Sequence, residues 1–159
     1  MPKKNNIEIE RKFLVNPEKW SIQQKPEGVL IHQGYLSHSD GLTIRIRIAG
    51  DQGFLTIKGE TTGISRMEYE YEIPVKDAHV LLEQHCKHSL VKIRYTLEAC
   101  GNQWEVDEFL GFNEGLLMAE IELNSEEEIF SLPEWIVKEV SGDERYFNSS
   151  LSKKPFTQW

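Results

Sequence analysis

The chain has 159 residues, 39% of them hydrophobic, and a formal net charge of −8 at pH 7. That length fits one domain with a substantial core, and the apolar content excludes a largely disordered chain. The acidic balance argues against general nucleic-acid binding, and no segment has the length and apolarity of a membrane span.

The opening Met1-Pro2-Lys3-Lys4-Asn5-Asn6 is basic but leads into Ile7-Glu8-Ile9-Glu10 and not into an apolar stretch, so it does not read as a signal peptide. Lys3-Lys4 reads as a solvated tail. Residues two apart in a strand share a face, and eight segments alternate in that way: 6–14, 31–38, 42–49, 53–59, 66–74, 91–99, 102–109 and 117–124. The first sets Glu8, Glu10 and Lys12 against Ile7 and Ile9, and the second carries Tyr35. The third sets Arg45 and Arg47 against Ile44, Ile46 and Ile48; the fourth sets Lys58 against Leu55 and Ile57. The fifth has Arg66, Glu68 and Glu70 opposite Tyr69 and Tyr71. The sixth has Lys92 and Arg94 opposite Val91 and Ile93, and the last has Glu120 and Glu122 opposite Ala119, Ile121 and Leu123.

Ser39-Asp40-Gly41, Gly50-Asp51-Gln52-Gly53 and Cys100-Gly101-Asn102 read as short hairpin links, and 59–65 as a longer polar loop. Ala78, Val80, Leu81, Leu82 and Cys86 predict an amphipathic helix over 77–88. Ser125-Glu126-Glu127-Glu128 predicts a capping box opening a short helix before Pro133, and 143–154 predicts another. There is no internal repeat or linker, so residues 1–159 are expected to form a single domain.

Eight antiparallel strands can close around one small ligand. The expected class is α+β and β-dominated: a closed eight-stranded antiparallel barrel with a charged lumen, its outer apolar wall clad by a few helices. Alternation alone also allows an open twisted sheet with its charges in solvent. The concentration of Arg and Glu, in place of scattered Lys, Thr and Ser, favours the barrel. Two cysteines without a CxxC or zinc pattern fit a reduced, cytoplasmic protein.

Arginine is a planar, permanently charged fork suited to phosphate oxygens, and five of the six arginines fall in the charged clusters. The Glu-x-Glu pairs at Glu8/Glu10, Glu68/Glu70 and Glu120/Glu122 would repel in one lumen unless a cation offset them. Their hard oxygens suit Mg²⁺ or Mn²⁺ shared with substrate phosphates. Histidines stay outside this set, so zinc is not expected. Hydrolysis of a phosphoanhydride needs a positioned water, a metal and charge stabilisation, and no nucleophilic triad.

Ile7-Glu8-Ile9-Glu10-Arg11-Lys12-Phe13-Leu14-Val15 resembles the N-terminal signature of CYTH domains, the triphosphate tunnel metalloenzymes. The resemblance runs on in order through Gln33-Gly34-Tyr35-Leu36, Arg45-Ile46-Arg47, Thr56-Ile57-Lys58, Ser65 to Glu70, Lys92-Ile93-Arg94-Tyr95, Glu105-Val106-Asp107, Ala119 to Glu122, Glu139-Val140 and Asp143 to Tyr146. It is similar to the short bacterial form of that family. The resemblance implies an eight-stranded tunnel, divalent-metal dependence and action on triphosphates. By motif, Glu8, Glu10, Glu68, Glu70, Glu120 and Glu122, with Asp107, would serve the metal. Lys12, Arg45, Arg47, Lys58, Arg66, Lys92 and Arg94, with Arg145, would hold phosphates. Lys58 is a candidate for orienting water; Lys12 and Tyr35 are further catalytic candidates, although Tyr35 also fits a plain wall residue.

The expected activity is metal-dependent conversion of inorganic triphosphate to pyrophosphate and phosphate. Alternatives are cyclisation of ATP to cyclic AMP, hydrolysis of thiamine or nucleoside triphosphates, and non-catalytic binding of polyphosphate or nucleotides. The expected partner is a small-molecule triphosphate, with no nucleic acid or membrane, for a monomer or homodimer.

Overall fold

Strand β1 (Ile7–Val15) is the seam around which the chain closes. One edge pairs antiparallel with β8 (Leu117–Glu122). The other pairs first with β5 (Ser65–Ile73), through Ile7–Ile9, and then with β9 (Ile136–Glu139), through Phe13–Val15. With β2 (Val29–Ser39), β3 (Leu42–Ala49), β4 (Gln52–Lys58), β6 (His88–Ala99) and β7 (Asn102–Phe109), the order is β5-β4-β3-β2-β6-β7-β8-β1-β9. The β1–β5 pairing closes the eight-stranded antiparallel barrel that the alternation predicts, and β9 is an added strand. The computed structural model describes residues 5–159, so the Lys3-Lys4 pair lies outside the described residues.

Local chemistry accounts for the tight links. Asp40 and Gly41 have φ of 54° and 71°, and Cys100 and Gly101 have 51° and 79°. Two consecutive positive φ values match the twist of two-residue hairpins, which favours Asp-Gly. Helix α1 (Pro17–Ser21) follows an Asn-Pro start: Asn16 accepts from the Lys19 N–H and Pro17 opens the first turn.

Three expectations for the helices change. The amphipathic helix α2 spans Val75–His85, and of its apolar set Val80 is exposed. Ser125–Glu128 forms a turn and no helix: the Ser125 carbonyl accepts from the Glu128 N–H, and the Glu128 carboxylate accepts from the Asn124 N–H. The region 143–154 is split into a 3-10 turn at Glu144–Tyr146 and helix α3 (Asn148–Lys153). Extended backbone at Phe147 breaks it, and that ring lies against the barrel cavity.

The apolar strand faces form the outer wall, and two clusters cover them, with a third at one end of the barrel. Phe13, Trp104, Val106 and Ile121 lie beneath Trp20, Phe130 and Trp135, whose rings meet edge-on at 5.4–6.2 Å between centroids. Ile46 and Ile48 receive Ala78 and Leu82 of α2. That helix sits close: a Cβ on Gly34 would stand 2.8 Å from Cys86 Cβ, and one on Gly53 would stand 2.9 Å from Ala78 Cβ. At one end of the barrel, Leu90, Phe109, Leu116 and Met118 pack with Leu151 of α3. The lumen is therefore closed at that end by apolar packing.

Candidate active site

Register decides which side chains meet inside the barrel. Glu10 is opposite Glu122 and Lys12 opposite Glu120 across β1–β8; Glu8 is opposite Arg66 across β1–β5. Across the other ladders Tyr35 faces Arg45, Arg45 faces Thr56, Thr56 faces Glu70, and Lys58 lies between Thr43 and Glu68. Partners in a ladder share a face, so these charges all project into one cavity of about 510 Å³.

Fourteen residues singled out from the sequence line that cavity: Glu8, Glu10, Lys12, Tyr35, Arg45, Arg47, Lys58, Arg66, Glu68, Glu70, Lys92, Arg94, Glu120 and Glu122. Thr43, Asn102, Gln103, Glu105, Phe147, Asn148 and Ser149 join them. Thr43 and Gln103 were legible only by extending the two-residue period from Arg45 and Glu105. Phe147, Asn148 and Ser149 come from the segment that closes the barrel end, and no strand period reaches them.

Two expected site residues stand elsewhere. Asp107 is fully buried behind the cavity wall, with its oxygens at 2.7 Å from Lys92 Nζ and at 2.7 and 2.8 Å from the Arg94 guanidinium. Cations already occupy both of its oxygens, so it is placed to hold Lys92 and Arg94 and not a metal. Arg145 is outside: its side chain is 65% exposed and forks onto Asp143 at 2.6 Å. Its sequence neighbourhood looked like site chemistry, but the strand period ends before it.

The charges are layered. Lys12, Arg45, Lys58 and Lys92 are buried, whereas Glu70, Gln103 and Glu122 are exposed toward the open mouth. Lys58 Nζ holds Glu8 at 2.9 Å and Glu68 at 3.0 Å, and Arg66 also reaches Glu8 at 3.2 Å. Arg94 gathers Asp107, Glu105 at 2.8 Å and Glu120 at 3.4 Å. Lys12 Nζ stands 3.8 Å from both Glu10 and Glu120, a loose contact. The Nε of Arg45 is buried without a hydrogen-bond partner, an orphan donor suited to an entering oxyanion.

The electrostatics follow from this layering. Burial, with Glu120 and Glu8 nearby, pushes the Glu10 carboxyl up to about 7. Burial would raise Glu120 too, but Lys12 and Arg94 outweigh it and hold that group down at about 2. Burial also lowers Arg47, helped by Arg45 and Arg94, to about 10, which leaves it charged at neutral pH.

Among the described residues, no three carboxylates, histidines or cysteines already converge as a closed metal cage. The donors suit another arrangement. Glu10 and Glu122 meet across one ladder beside Glu120, and Mg²⁺ characteristically takes a few carboxylates and completes its shell with water and substrate phosphates. No histidine lines the cavity. The donor set thus fits a hard divalent cation that arrives with a polyanion.

The CYTH domain family profile matches residues 6–155. An inorganic triphosphatase of Acetivibrio thermocellus is 50% identical over 150 residues, covering 94% of this chain and 95% of its own length. An inorganic triphosphatase of Nitrosomonas europaea is 36% identical over 153 residues, covering 91% and 96%. The crystal structure of the inorganic triphosphatase NE1496 aligns with a TM-score of 0.66 at 33% identity, covering 91% of this chain and 93% of that one.

Proposed function

The chain belongs to the CYTH domain family, and from that membership we propose that it hydrolyses inorganic triphosphate to pyrophosphate and phosphate. The observation that carries this reading is the lumen itself. One cavity gathers buried cations, carboxylates opposite one another and an unpartnered Arg45 donor. A small polyanion bound with a divalent cation satisfies all three demands together.

In this reading Lys12, Arg45, Arg47, Lys58, Arg66, Lys92 and Arg94 cradle the phosphates. Glu10, Glu120 and Glu122 hold a divalent cation, Mg²⁺ or Mn²⁺, with Glu8, Glu68 and Glu70 as the second acidic group. The bound cation would supply charge neutralisation on the phosphate oxygens and a lowered pKa for a coordinated water. Lys58, between Glu8 and Glu68, is placed to orient the attacking water, and Lys12 lies between Glu10 and Glu120 to meet the charge that develops on the leaving group. Asp107 acts behind them by fixing Lys92 and Arg94.

The whole chain is proposed to act as one domain on a small-molecule substrate, as a monomer or homodimer. Two free cysteines fit a reducing, cytoplasmic setting. Among the described residues no helix is long and apolar enough to cross a membrane.

The test is a substrate panel of tripolyphosphate, ATP and thiamine triphosphate with Mg²⁺ or Mn²⁺ and separation of products. The reading requires tripolyphosphate to give the highest kcat/KM, with pyrophosphate and phosphate as products. Cyclic AMP from ATP as the dominant product would replace it with the cyclase reading.

A further inference from the structure

Gln33 is fully buried near the centre of β2, between Arg47 and Tyr35. Its Oε1 accepts from Arg47 Nε at 3.1 Å and Nη2 at 2.9 Å, and its Nε2 donates to the Tyr35 hydroxyl at 3.0 Å. The chemistry fixes this orientation. A guanidinium can only donate, so the amide atom facing Arg47 must be the oxygen. The NH₂ group then faces Tyr35, and the Tyr35 oxygen must accept. Its own O–H cannot point back at Gln33, and among the described residues it has no acceptor. Tyr35 lines the cavity, so that hydrogen is left for a ligand inside it.

The partner chosen for Arg47 matters equally. Arg94 is clamped by Asp107, Glu105 and Glu120, which cancel much of its charge. Arg47 forms no carboxylate ion pair among the described residues and is held by a neutral amide through two of its donors. Its orientation is fixed and its charge is kept.

We propose that Gln33 is a positioning residue that makes Tyr35 an obligatory hydrogen-bond donor to a triphosphate oxygen and presents Arg47 to the same anion with its charge uncancelled. This rests on the triphosphatase reading. The role needs an amide: a carboxylate at this place would neutralise Arg47 and take the Tyr35 hydrogen for itself, and an apolar residue would release both partners.

The test is a double-mutant cycle on tripolyphosphate hydrolysis in the full chain, using Gln33→Glu, Tyr35→Phe and the two together. Gln33→Glu is expected to raise KM by about tenfold or more, since it weakens a phosphate contact made in both ground and transition states. Tyr35→Phe alone is expected to lower kcat/KM about tenfold, and less than about twofold further in the Gln33→Glu background. Fully multiplicative losses, or a wild-type KM in Gln33→Glu, would overturn the proposal. Should Gln33→Glu not fold, Gln33→Leu serves the same cycle, because it too ends the enforced donor role of the Tyr35 hydroxyl, by releasing it, and the same non-additivity is required. Calorimetric binding of tripolyphosphate without metal separates the two levels. Wild-type binding with no turnover once Mg²⁺ or Mn²⁺ is added would contradict the triphosphatase reading alone, whereas equal affinity in wild type and Gln33→Glu would contradict the role of Gln33.

Discussion

Glu10 and Glu122 are directly opposed in the β1–β8 ladder, two carboxylates side by side on the inner face of a closed barrel. Like charges so placed destabilise a strand pair. The Glu10 carboxyl is also pushed from 4.5 up to about 7, by burial first and then by Glu120 and Glu8. Its folded-state pKa lies above the unfolded one, so its contribution to stability is complete below about pH 4.5 and is lost as pH rises through about 7. Glu10→Gln should therefore raise the unfolding temperature of metal-free protein at pH 8, by roughly 3 °C or more, and leave it nearly unchanged at pH 5. Added Mg²⁺ should stabilise the wild type more than the variant. A lower unfolding temperature for Glu10→Gln at pH 8 would contradict this.

Asp107 holds two cations of the lumen wall, and its side chain and that of Lys92 are both wholly buried. Burial acts to raise its pKa, but Arg94 and Lys92 outweigh burial and hold it below its ordinary 3.8. The stability it gives is present above that value and is lost as pH falls through the folded pKa. Asp107→Asn takes from Lys92 its buried counter-charge and from Arg94 the nearest of three, and should cost about 3–5 kcal/mol in urea unfolding at pH 7. Tripolyphosphate should restore part of that loss by binding the freed cations. A wild-type midpoint for Asp107→Asn would show that the wall does not depend on it.

Gly34 lies between Gln33 and Tyr35 but faces outward, under α2. A methyl group there would meet Cys86 Cβ at 2.8 Å and Leu82 Cδ2 at 2.9 Å. Gly34→Ala must lift the helix or shift the strand and should cost about 1–3 kcal/mol. Equilibrium unfolding checks this, and no loss would mean that α2 is free to move.

Arg45 and Arg145 separate site from surface. Arg45→Ala should raise KM for tripolyphosphate about tenfold or more, as it removes a buried lumen cation proposed to cradle phosphate. Arg145→Ala should leave KM within about twofold, because its guanidinium is spent on Asp143 in solvent. Steady-state kinetics on the two variants decide it, and a large effect at Arg145 would move the site boundary.

The strands and the lumen face were legible because of the two-residue period: Glu8, Glu10 and Lys12, Arg45 and Arg47, Arg66, Glu68 and Glu70, Lys92 and Arg94, and Glu120 and Glu122 are each two apart and all line the cavity. What the period does not reach was lost. The four residues of β9 carry no full alternation, and Asn16-Pro17 is a helix-start signal that only the structure brings out. Asn148 donates nothing to a pattern, yet its side chain meets Lys92 at 2.9 Å across the barrel end. Asp107 was legible as polar and inward, but how deep it lies is set by the register against Arg94 and Met118, which no single strand encodes.

The central claim is that opposed carboxylates and buried cations act on one substrate through a shared divalent ion. Phosphate release from tripolyphosphate by wild type and Glu122→Gln, each with saturating Mg²⁺ and again with excess chelator, tests it most directly. The account predicts release by the wild type that chelator abolishes, and at least about a hundredfold less by Glu122→Gln at an unfolding temperature no lower than that of the wild type. Undiminished release by Glu122→Gln, or wild-type release that survives chelation, would contradict it.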